Sequence, residues 1–342
     1  MYTFKGRNAG LGLALASALA FGGSGVAAKP LIEAGLDPLH VVWLRAAGAA
    51  LVALPLAWRH RSLLRTHPAL LAGFGLLGVA GVQAFYFAAI ARIPVGVALL
   101  IEYLGPALVL GWIRFVQRRP VSRSAAVGVA LAVTGLACVV EVWSGMRFDV
   151  LGVLLALGAA VCQASYFILG DHGSASPEEA PDPLGIIAYG LLGGAAVLTL
   201  VSRPWQLDWS VLGGSAQLGS TTAPAWLLLA WVVLVATVLA YLTGIVSVRM
   251  LSPQVAGVVA FLEAIVATVL AWVLLGEHLS GPQLAGGALV LVGAFIAQAS
   301  RPKEPSEQPV ASGRAPDGVP DGPSDGKAAD AQASLSAAEH SA

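Results

Sequence analysis

The chain carries the stretch Ile93-Pro-Val-Gly-Val-Ala-Leu-Leu-Ile-Glu102-Tyr-Leu-Gly-Pro106, in which one carboxylate stands among apolar residues. A second stretch, Val255-Ala-Gly-Val-Val-Ala-Phe-Leu-Glu263-Ala-Ile265, repeats the pattern. A carboxylate so deep in an apolar segment costs several kcal/mol unless it is paired, protonated or hydrated. The two stretches therefore predict apolar helices that enclose a polar site.

The rest of the chain is equally apolar. Hydrophobic residues make up 57% of its 342 residues and charged residues only 11%, whereas soluble domains carry about 25% charge. Runs of about 20 apolar residues match the bilayer core, and backbone groups in lipid must be satisfied within a helix. We predict ten spans, at residues 9–28, 39–57, 70–89, 95–113, 125–143, 150–170, 184–201, 224–243, 254–274 and 282–299.

The distribution of Lys and Arg predicts the orientation of these spans. Four of these residues lie at one set of span ends, namely Lys29, Arg92, Arg147 and Arg203. Twelve lie at the other set, namely Lys5, Arg7, Arg59, Arg61, Arg65, Arg114, Arg118, Arg119, Arg123, Arg249, Arg301 and Lys303. Because cytoplasmic loops carry the excess of Lys and Arg, both termini are predicted in the cytoplasm, which requires an even number of spans.

The two glutamate-bearing spans are the fourth and the ninth, five apart. The first and sixth spans are also similar in composition, since both combine small, aromatic and serine residues. A repeat of five spans is odd, so its second copy must enter the membrane in the opposite direction, as in many secondary transporters. We divide the chain into a cytoplasmic N-terminus (1–8), two five-helix repeats (9–143 and 150–299) and a disordered cytoplasmic tail (300–342), which is poor in large apolar residues.

Several motifs resemble those of the drug/metabolite transporter superfamily, in particular its EamA-type members. They are Gly22-Gly-Ser-Gly-Val-Ala-Ala-Lys29, Trp43-Leu-Arg45, the stretch from Ile93 to Pro106, and Leu274-Leu-Gly-Glu277-His-Leu-Ser280 followed by Gln283. The pattern Ile-Pro-Val-Gly…Glu-Tyr-Leu-Gly-Pro is especially similar to the threonine/homoserine exporter branch. The resemblance covers about residues 9–299.

This resemblance implies an all-α polytopic membrane protein with ten transmembrane helices in two inverted five-helix repeats. It also implies a central cavity and alternating access. One departure concerns the ninth span, where many relatives have a proline just after the deep acidic position. This chain has Ala264 there, so we expect a less kinked ninth helix and imperfect symmetry.

Glu102 and Glu263 are the first candidates for the site. Either they line the cavity and bind an ammonium group or a coupling proton, or they lock helices together through hydrogen bonds. Arg45, inside the second span, either extends to the interface or binds a buried glutamate or a solute carboxylate. Further candidates are polar or aromatic residues within spans, which helix packing could also explain: Ser24, Gln83, Tyr86, Tyr103, Gln163, Tyr166 and Tyr241.

Two charged residues at span ends are expected outside the site. Lys29 is interpreted as an interfacial anchor. For Glu277, an exposed cap is favoured over a gate.

The expected function is a secondary transporter, an exporter of a small organic metabolite such as an amino acid. A channel or scaffold is the alternative. Gly22-Gly-Ser24 superficially resembles an intramembrane serine protease site, but that chemistry needs a base, and all six histidines lie at span ends, in loops or in the tail. We expect no catalytic residue, metal, cofactor or nucleic acid. The expected partners are a small-molecule solute and the lipid bilayer of the cell membrane, with a homodimer left open.

Overall fold

A computed structural model of the chain describes residues 4–141, 149–173, 181–251 and 253–299. Ten long helices lie in these ranges, one for each predicted span. They are α1 Phe4–Glu33, α2 Pro38–Arg59, α3 Pro68–Ile90, α4 Val95–Phe115, α5 Arg123–Val140, α6 Val150–Gly173, α7 Pro183–Ser202, α8 225–250, α9 253–275 and α10 Gly281–Ala299. A short helix, Leu63–Thr66, precedes α3. Nine of the ten contain a window long and apolar enough to cross a membrane, and α9 contributes the apolar stretch Phe261–Leu275.

The helix starts follow local chemistry. Asp37 and Asp182 cap α2 and α7 by accepting hydrogen bonds from Leu39 and Leu184 backbone N–H groups at 2.8 and 2.9 Å. Each of these caps is followed by a proline in the first helical turn, where the missing N–H costs nothing. The ends of these spans are therefore defined by residues next to them in sequence.

Helix α4 is broken beside its glutamate. It comprises Val95–Glu102 and Gly105–Phe115, separated by a turn at Tyr103 and Leu104. Pro106 lies in the first turn of the second segment, and a proline there cannot continue the hydrogen bonding of the first segment. Helix α9 continues past Ala264 as Pro253–Leu270 and then a π-helical turn, Ala271–Leu275. The predicted asymmetry between the fourth and ninth helices is thus observed.

Two further helices contain π-helical segments. The segment in α3 is Phe74–Gly81. The segment in α8 is Trp231–Leu239, which joins the α-helical parts Ala225–Ala230 and Ala240–Met250. Wider turns of this kind are rare and often occur at functional sites. The two segments occupy corresponding helices, the third of each group of five.

A hairpin lies between α7 and α8. It consists of β1 Ser215–Leu218 paired with β2 Thr221–Pro224 in antiparallel register. Gly219 has a φ of +60° at its turn and packs against the backbone of Leu274. We call this end of the bundle, with residues 34–37, 91–94, 203–224 and 276–280, the hairpin end.

The ten helices pack with an approximate twofold relationship between two groups of five. Helix α2 packs on α7, and α5 packs on α10. Helix α1 contacts α8 and α9, just as α6 contacts α3 and α4. Exchanging each helix with the one five positions later reproduces this contact pattern. Because five spans per group is an odd number, the two groups cross the bilayer in opposite directions.

Helices α5 and α10 approach each other most closely through glycine. A Cβ on Gly135 would meet the Gly286 carbonyl oxygen at 2.6 Å, and one on Gly286 would meet the Gly135 oxygen at 2.7 Å. Gly128 and Gly293, one heptad away on each helix, repeat this contact. Small residues let membrane helices pack backbone to backbone, so these two helices form a tight contact between the halves.

The predicted fold class is confirmed. The first helix begins at Phe4 and not near residue 9, so it extends into the predicted N-terminal segment. The division at 143 and 150 and the tail at 300–342 stay predictions, since residues 142–148 and 300–342 lie outside the described residues.

Candidate functional site

The two deep glutamates each contact a polar side chain from the opposite half. Glu102 ends the first segment of α4 and is only 9% exposed. Its Oε1 accepts a hydrogen bond of 3.4 Å from Nε2 of Gln163 on α6. Gln163 also lies against Gly105, where a Cβ would clash with its amide oxygen. The break in α4 and the glycine after it therefore make room for this contact.

Glu263 on α9 is reached from the same break. The Tyr103 hydroxyl donates to its Oε2 at 3.3 Å, and the Tyr103 ring packs on Phe261 at 5.3 Å between centroids. On the other side of α9, Gly22 of α1 lies against the Glu263 backbone, where a Cβ would meet the carbonyl oxygen at 2.9 Å. Glu102 and Glu263 are close enough for their charges to interact with each other and with Arg45.

Arg45 is the third charged group of this region and is 4% exposed. Its Nη1 donates to Ser24 Oγ at 2.9 Å and to Gln83 Oε1 at 2.6 Å. Its Nε donates to Thr237 Oγ1 at 2.7 Å, and its Nη2 to the Ala236 carbonyl oxygen at 3.4 Å. The interfacial position that was one alternative for Arg45 is wrong, because the guanidinium lies inside the bundle among α1, α3 and α8.

Two cavities lead towards Arg45. A small one, of about 10 Å³, is lined by Val42, Arg45, Ala46, Val79, Gln83, Leu191, Thr237 and Tyr241. A larger one, of about 410 Å³, lies between α2, α7 and α8 and extends from Arg59 to Tyr241. Leu191 and Tyr241 line both cavities. A space of about 10 Å³ holds roughly one water molecule, so of these two cavities only the larger has room for a solute. Another cavity, of about 560 Å³, lies between α1, α8, α9 and the hairpin and has an apolar lining.

The structure brings most of the predicted site residues together. Ser24 and Gln83 hydrogen-bond Arg45, while Gln163 and Tyr103 hydrogen-bond the glutamates, as described above. Tyr86 is buried beside Gly25 and stacks edge-on against Phe87 at 5.6 Å. Tyr241 packs edge-on against Phe21 at 4.9 Å. Tyr166 instead packs on Phe74 at 4.7 Å, in an apolar cluster with Val79 and Leu191.

Sequence reasoning did not identify Thr237, which is 1% exposed and contacts Arg45 directly. Threonines in apolar helices commonly hydrogen-bond their own backbone, and Thr237 also does so, donating to Val232 at 2.8 Å. Local sequence therefore does not indicate that this hydroxyl faces a buried cation. Only the packing of α2 against α8 makes it part of the site.

Glu277 corrects a second expectation. It is not an exposed cap, since its side chain is 13% exposed and its Oε1 lies 2.6 Å from Lys29 Nζ. Its Oε2 accepts a hydrogen bond of 2.9 Å from the backbone N–H of Val95. Lys29 also reaches the Ile93 carbonyl oxygen at 3.4 Å, so it is more than an interfacial anchor. These contacts join α1 and α4 to the end of α9 at the hairpin end.

A second ion pair at the hairpin end is more exposed. Arg92 Nη1 lies 3.0 Å from Asp149 Oδ2, with side chains 43% and 39% exposed. Hydrogen bonds from the Gly152 backbone N–H and from Arg92 lower the pKa of the Asp149 carboxyl. Asp149 is therefore ionised at neutral pH, and the pair provides a surface counterpart to the more enclosed Lys29–Glu277 pair.

Comparison with known proteins identifies the family of this chain. The profile of the EamA-like transporter family matches residues 8–141 and again residues 150–298. The chain belongs to the EamA-like transporter family. The chain is thus a multi-pass membrane protein of a transporter family.

Individual relatives agree with this assignment. The chain is 28% identical over 281 residues to the threonine/homoserine exporter RhtA of Escherichia coli K12, which covers 81% of this chain and 87% of that protein. It is 29% identical to RhtA of Salmonella typhimurium SL1344 over 213 residues, or 61% of this chain, and spans only 64% of that relative's length. A solved crystal structure superposes with a TM-score of 0.54 at 20% identity, covering 85% of this chain and 96% of its own, which shows the shared fold.

Proposed function

We propose that this transporter exports an amino acid or a closely related metabolite by alternating access. The observation that carries the proposal is the cross-half pairing of the buried carboxyls, Gln163 with Glu102 and Tyr103 with Glu263. Groups contributed by both halves change their separation when the halves move. A site built in this way can bind a solute in one arrangement and release it in the other.

The charges of the site suit an amino acid. Glu102 and Glu263 provide oxygen acceptors for an ammonium group or a coupling proton, and Arg45 provides a cation for a carboxylate. Ser24, Gln83, Gln163 and the tyrosines supply neutral hydrogen-bonding groups around them. The name of the RhtA relatives, threonine/homoserine exporter, makes these two amino acids the first probes for this chain.

The polar contacts at the hairpin end support an arrangement closed on that side. Lys29, Glu277 and the Val95 backbone join the two halves there. At the opposite end, the larger cavity extends from Arg59 inward to Tyr241. With the hairpin end outside the cell, as the Lys and Arg distribution predicts, this arrangement would receive solute from the cytoplasm.

The cell membrane is the proposed location, with both termini in the cytoplasm. A channel remains the second candidate, because a transporter and a channel can share a central polar site. The two differ in kinetics, since alternating access saturates and exchanges solute on opposite sides of the membrane.

Counterflow in proteoliposomes tests the proposal. Vesicles with purified protein are loaded with unlabelled L-threonine or L-homoserine and diluted into the labelled solute. We expect transient accumulation of label that saturates with concentration and requires the internal solute. Flux that rises linearly without saturation would favour a channel, and the lack of counterflow for every amino acid in a broad panel would contradict amino-acid transport.

A further inference from the structure

The guanidinium of Arg45 is a buried cation surrounded by neutral acceptors. Four of its five N–H groups are used by Thr237, Ser24, Gln83 and the Ala236 carbonyl. None of the carboxylates among the described residues forms an ion pair with it. Neutral acceptors orient a cation but do not neutralise it. The charges of Glu102 and Glu263 act on Arg45 without direct contact among the described residues, so an anion can still bind the guanidinium directly.

The remaining N–H belongs to Nη2. This nitrogen makes a single, long hydrogen bond of 3.4 Å to Ala236 within the described part of the chain. Arg45 also lines the small cavity, which shares Leu191 and Tyr241 with the solute-sized one. Arg45 therefore has one N–H group left for a further acceptor and borders a small cavity next to the solute-sized one.

We propose that Arg45 forms the subsite for the solute carboxylate and that Thr237 and the π-helical segment Trp231–Leu239 are its positioning elements. The inference rests on the proposed function and assigns the carboxylate of the solute to Arg45. Thr237 fixes the Nε edge, while Ala236, its neighbour in the same segment, accepts from Nη2. Both contacts come from consecutive residues of one π-helical segment.

The geometry of this segment explains why Thr237 can serve two partners. Its hydroxyl donates its one proton to the carbonyl of Val232, five residues earlier, at 2.8 Å. The oxygen lone pairs are then directed elsewhere and can accept from Arg45 Nε. Because the hydroxyl proton is already committed, Thr237 acts towards Arg45 only as an acceptor. A valine at this position would keep the shape of the side chain but remove that acceptor.

The subsite predicts which analogues the transporter discriminates. L-Threoninamide keeps the ammonium group and the hydroxyl but lacks the carboxylate charge, whereas 3-hydroxybutyrate keeps the carboxylate and lacks the ammonium. Competition against labelled L-threonine in counterflow gives the relative affinity of each compound. Wild-type protein should prefer threonine to threoninamide, and the Arg45 subsite is the part of the molecule that produces this preference.

Thr237→Val tests the positioning role. We expect its KM for L-threonine to rise about tenfold, as for loss of a hydrogen bond to a charged group, with the maximal rate changed much less. The preference for threonine over threoninamide should fall by a similar factor, and Thr237→Ser should restore both values. Thr243→Val is the matched control on the same helix, since among the described residues Thr243 hydrogen-bonds only Leu239 and Ala240 of its own helix.

The outcomes separate the claims. A purely structural role of Thr237 would lower the amount of folded protein or the maximal rate and leave the preference unchanged, which would overturn the positioning role. If Arg45→Lys alters the preference while Thr237→Val does not, the carboxylate subsite stands and the positioning role fails. If neither substitution alters the preference, the subsite itself is wrong. The proposed function fails separately, if wild-type protein shows no counterflow of any amino acid.

Discussion

Tyr103, the residue after Glu102 at the break of α4, donates a hydrogen bond of 3.3 Å to Glu263 on the opposite half. Tyr103 is the first residue of the break. It follows Glu102 directly and contacts Glu263, so the two buried carboxyls lie on either side of the break. Gly105, just after the break, lies against Gln163, the hydrogen-bond partner of Glu102. Pro106 and Gly105, which follow the break, are therefore part of how the site is built.

Removing the Tyr103 hydroxyl should weaken solute binding while the fold persists. Tyr103→Phe keeps the ring that packs on Phe261 and removes the donor to Glu263. We expect the KM for L-threonine in counterflow to rise about fivefold, the effect of roughly 1 kcal/mol. Tyr189→Phe is the control, because its hydroxyl donates to the Ala57 carbonyl at 2.8 Å, away from the glutamates. Equal kinetics for both variants would remove the hydroxyl of Tyr103 from the site.

Reversing one charge of the Lys29–Glu277 pair should impair transport. Breaking a largely enclosed pair leaves an unbalanced charge, whereas exposed pairs contribute about 0–1 kcal/mol. Lys29→Glu or Glu277→Lys should lower counterflow about tenfold, and the double exchange should recover much of it.

The Arg92–Asp149 pair is the control at the same end of the bundle. The corresponding reversals, Arg92→Glu and Asp149→Arg, should change transport by less than about threefold, because both side chains are exposed. Counterflow by the Lys29→Glu variant at the wild-type rate would contradict a closure at the hairpin end. A double exchange no better than the single variants would show that geometry, and not charge pairing, governs this contact.

The contact between α5 and α10 should tolerate no added methyl group. Gly135→Ala places a Cβ 2.6 Å from the Gly286 oxygen, and we expect a loss of about 1–3 kcal/mol in stability from overpacking. Its melting temperature in detergent should fall. Gly111→Ala, where nothing lies within 4 Å, should leave that temperature unchanged or raise it, because alanine favours helix. Similar shifts for the two variants would mean that the contact relaxes without cost.

The spans and their order could be predicted because a membrane-spanning helix needs about 20 consecutive apolar residues, and such runs are visible in the sequence. The less kinked ninth helix could also be expected, from Ala264. The break after Glu102 was not predicted, although Pro106 follows it. The hairpin Ser215–Pro224 could not, since two four-residue strands outside the spans leave no clear alternation of apolar residues. The π-helical segments carry no composition that distinguishes them from ordinary apolar helix.

Most residues of the candidate site could be predicted from the sequence, but the hydrogen bonds and ion pairs between them could not. Glu102, Glu263 and Arg45 stand out because charge is rare within apolar spans. Lys29 and Glu277 lie 248 positions apart, and sequence alone gives no sign of such a partner. Thr237 was not predicted because a threonine in a helix normally hydrogen-bonds its own backbone and needs no partner from another helix. Each missing element depends on packing between the halves, which local sequence does not encode.

Counterflow of labelled L-threonine by Glu102→Gln and Glu263→Gln, beside wild type and Glu33→Gln, tests the central claim most directly. Glu33 is exposed at the end of α1 and controls for the loss of a carboxylate as such. We predict saturable counterflow by wild type and Glu33→Gln, and a loss of about tenfold or more for each buried variant in protein that is inserted and folded. Undiminished, saturable counterflow by Glu102→Gln and Glu263→Gln would contradict a transport site built on these two carboxyls.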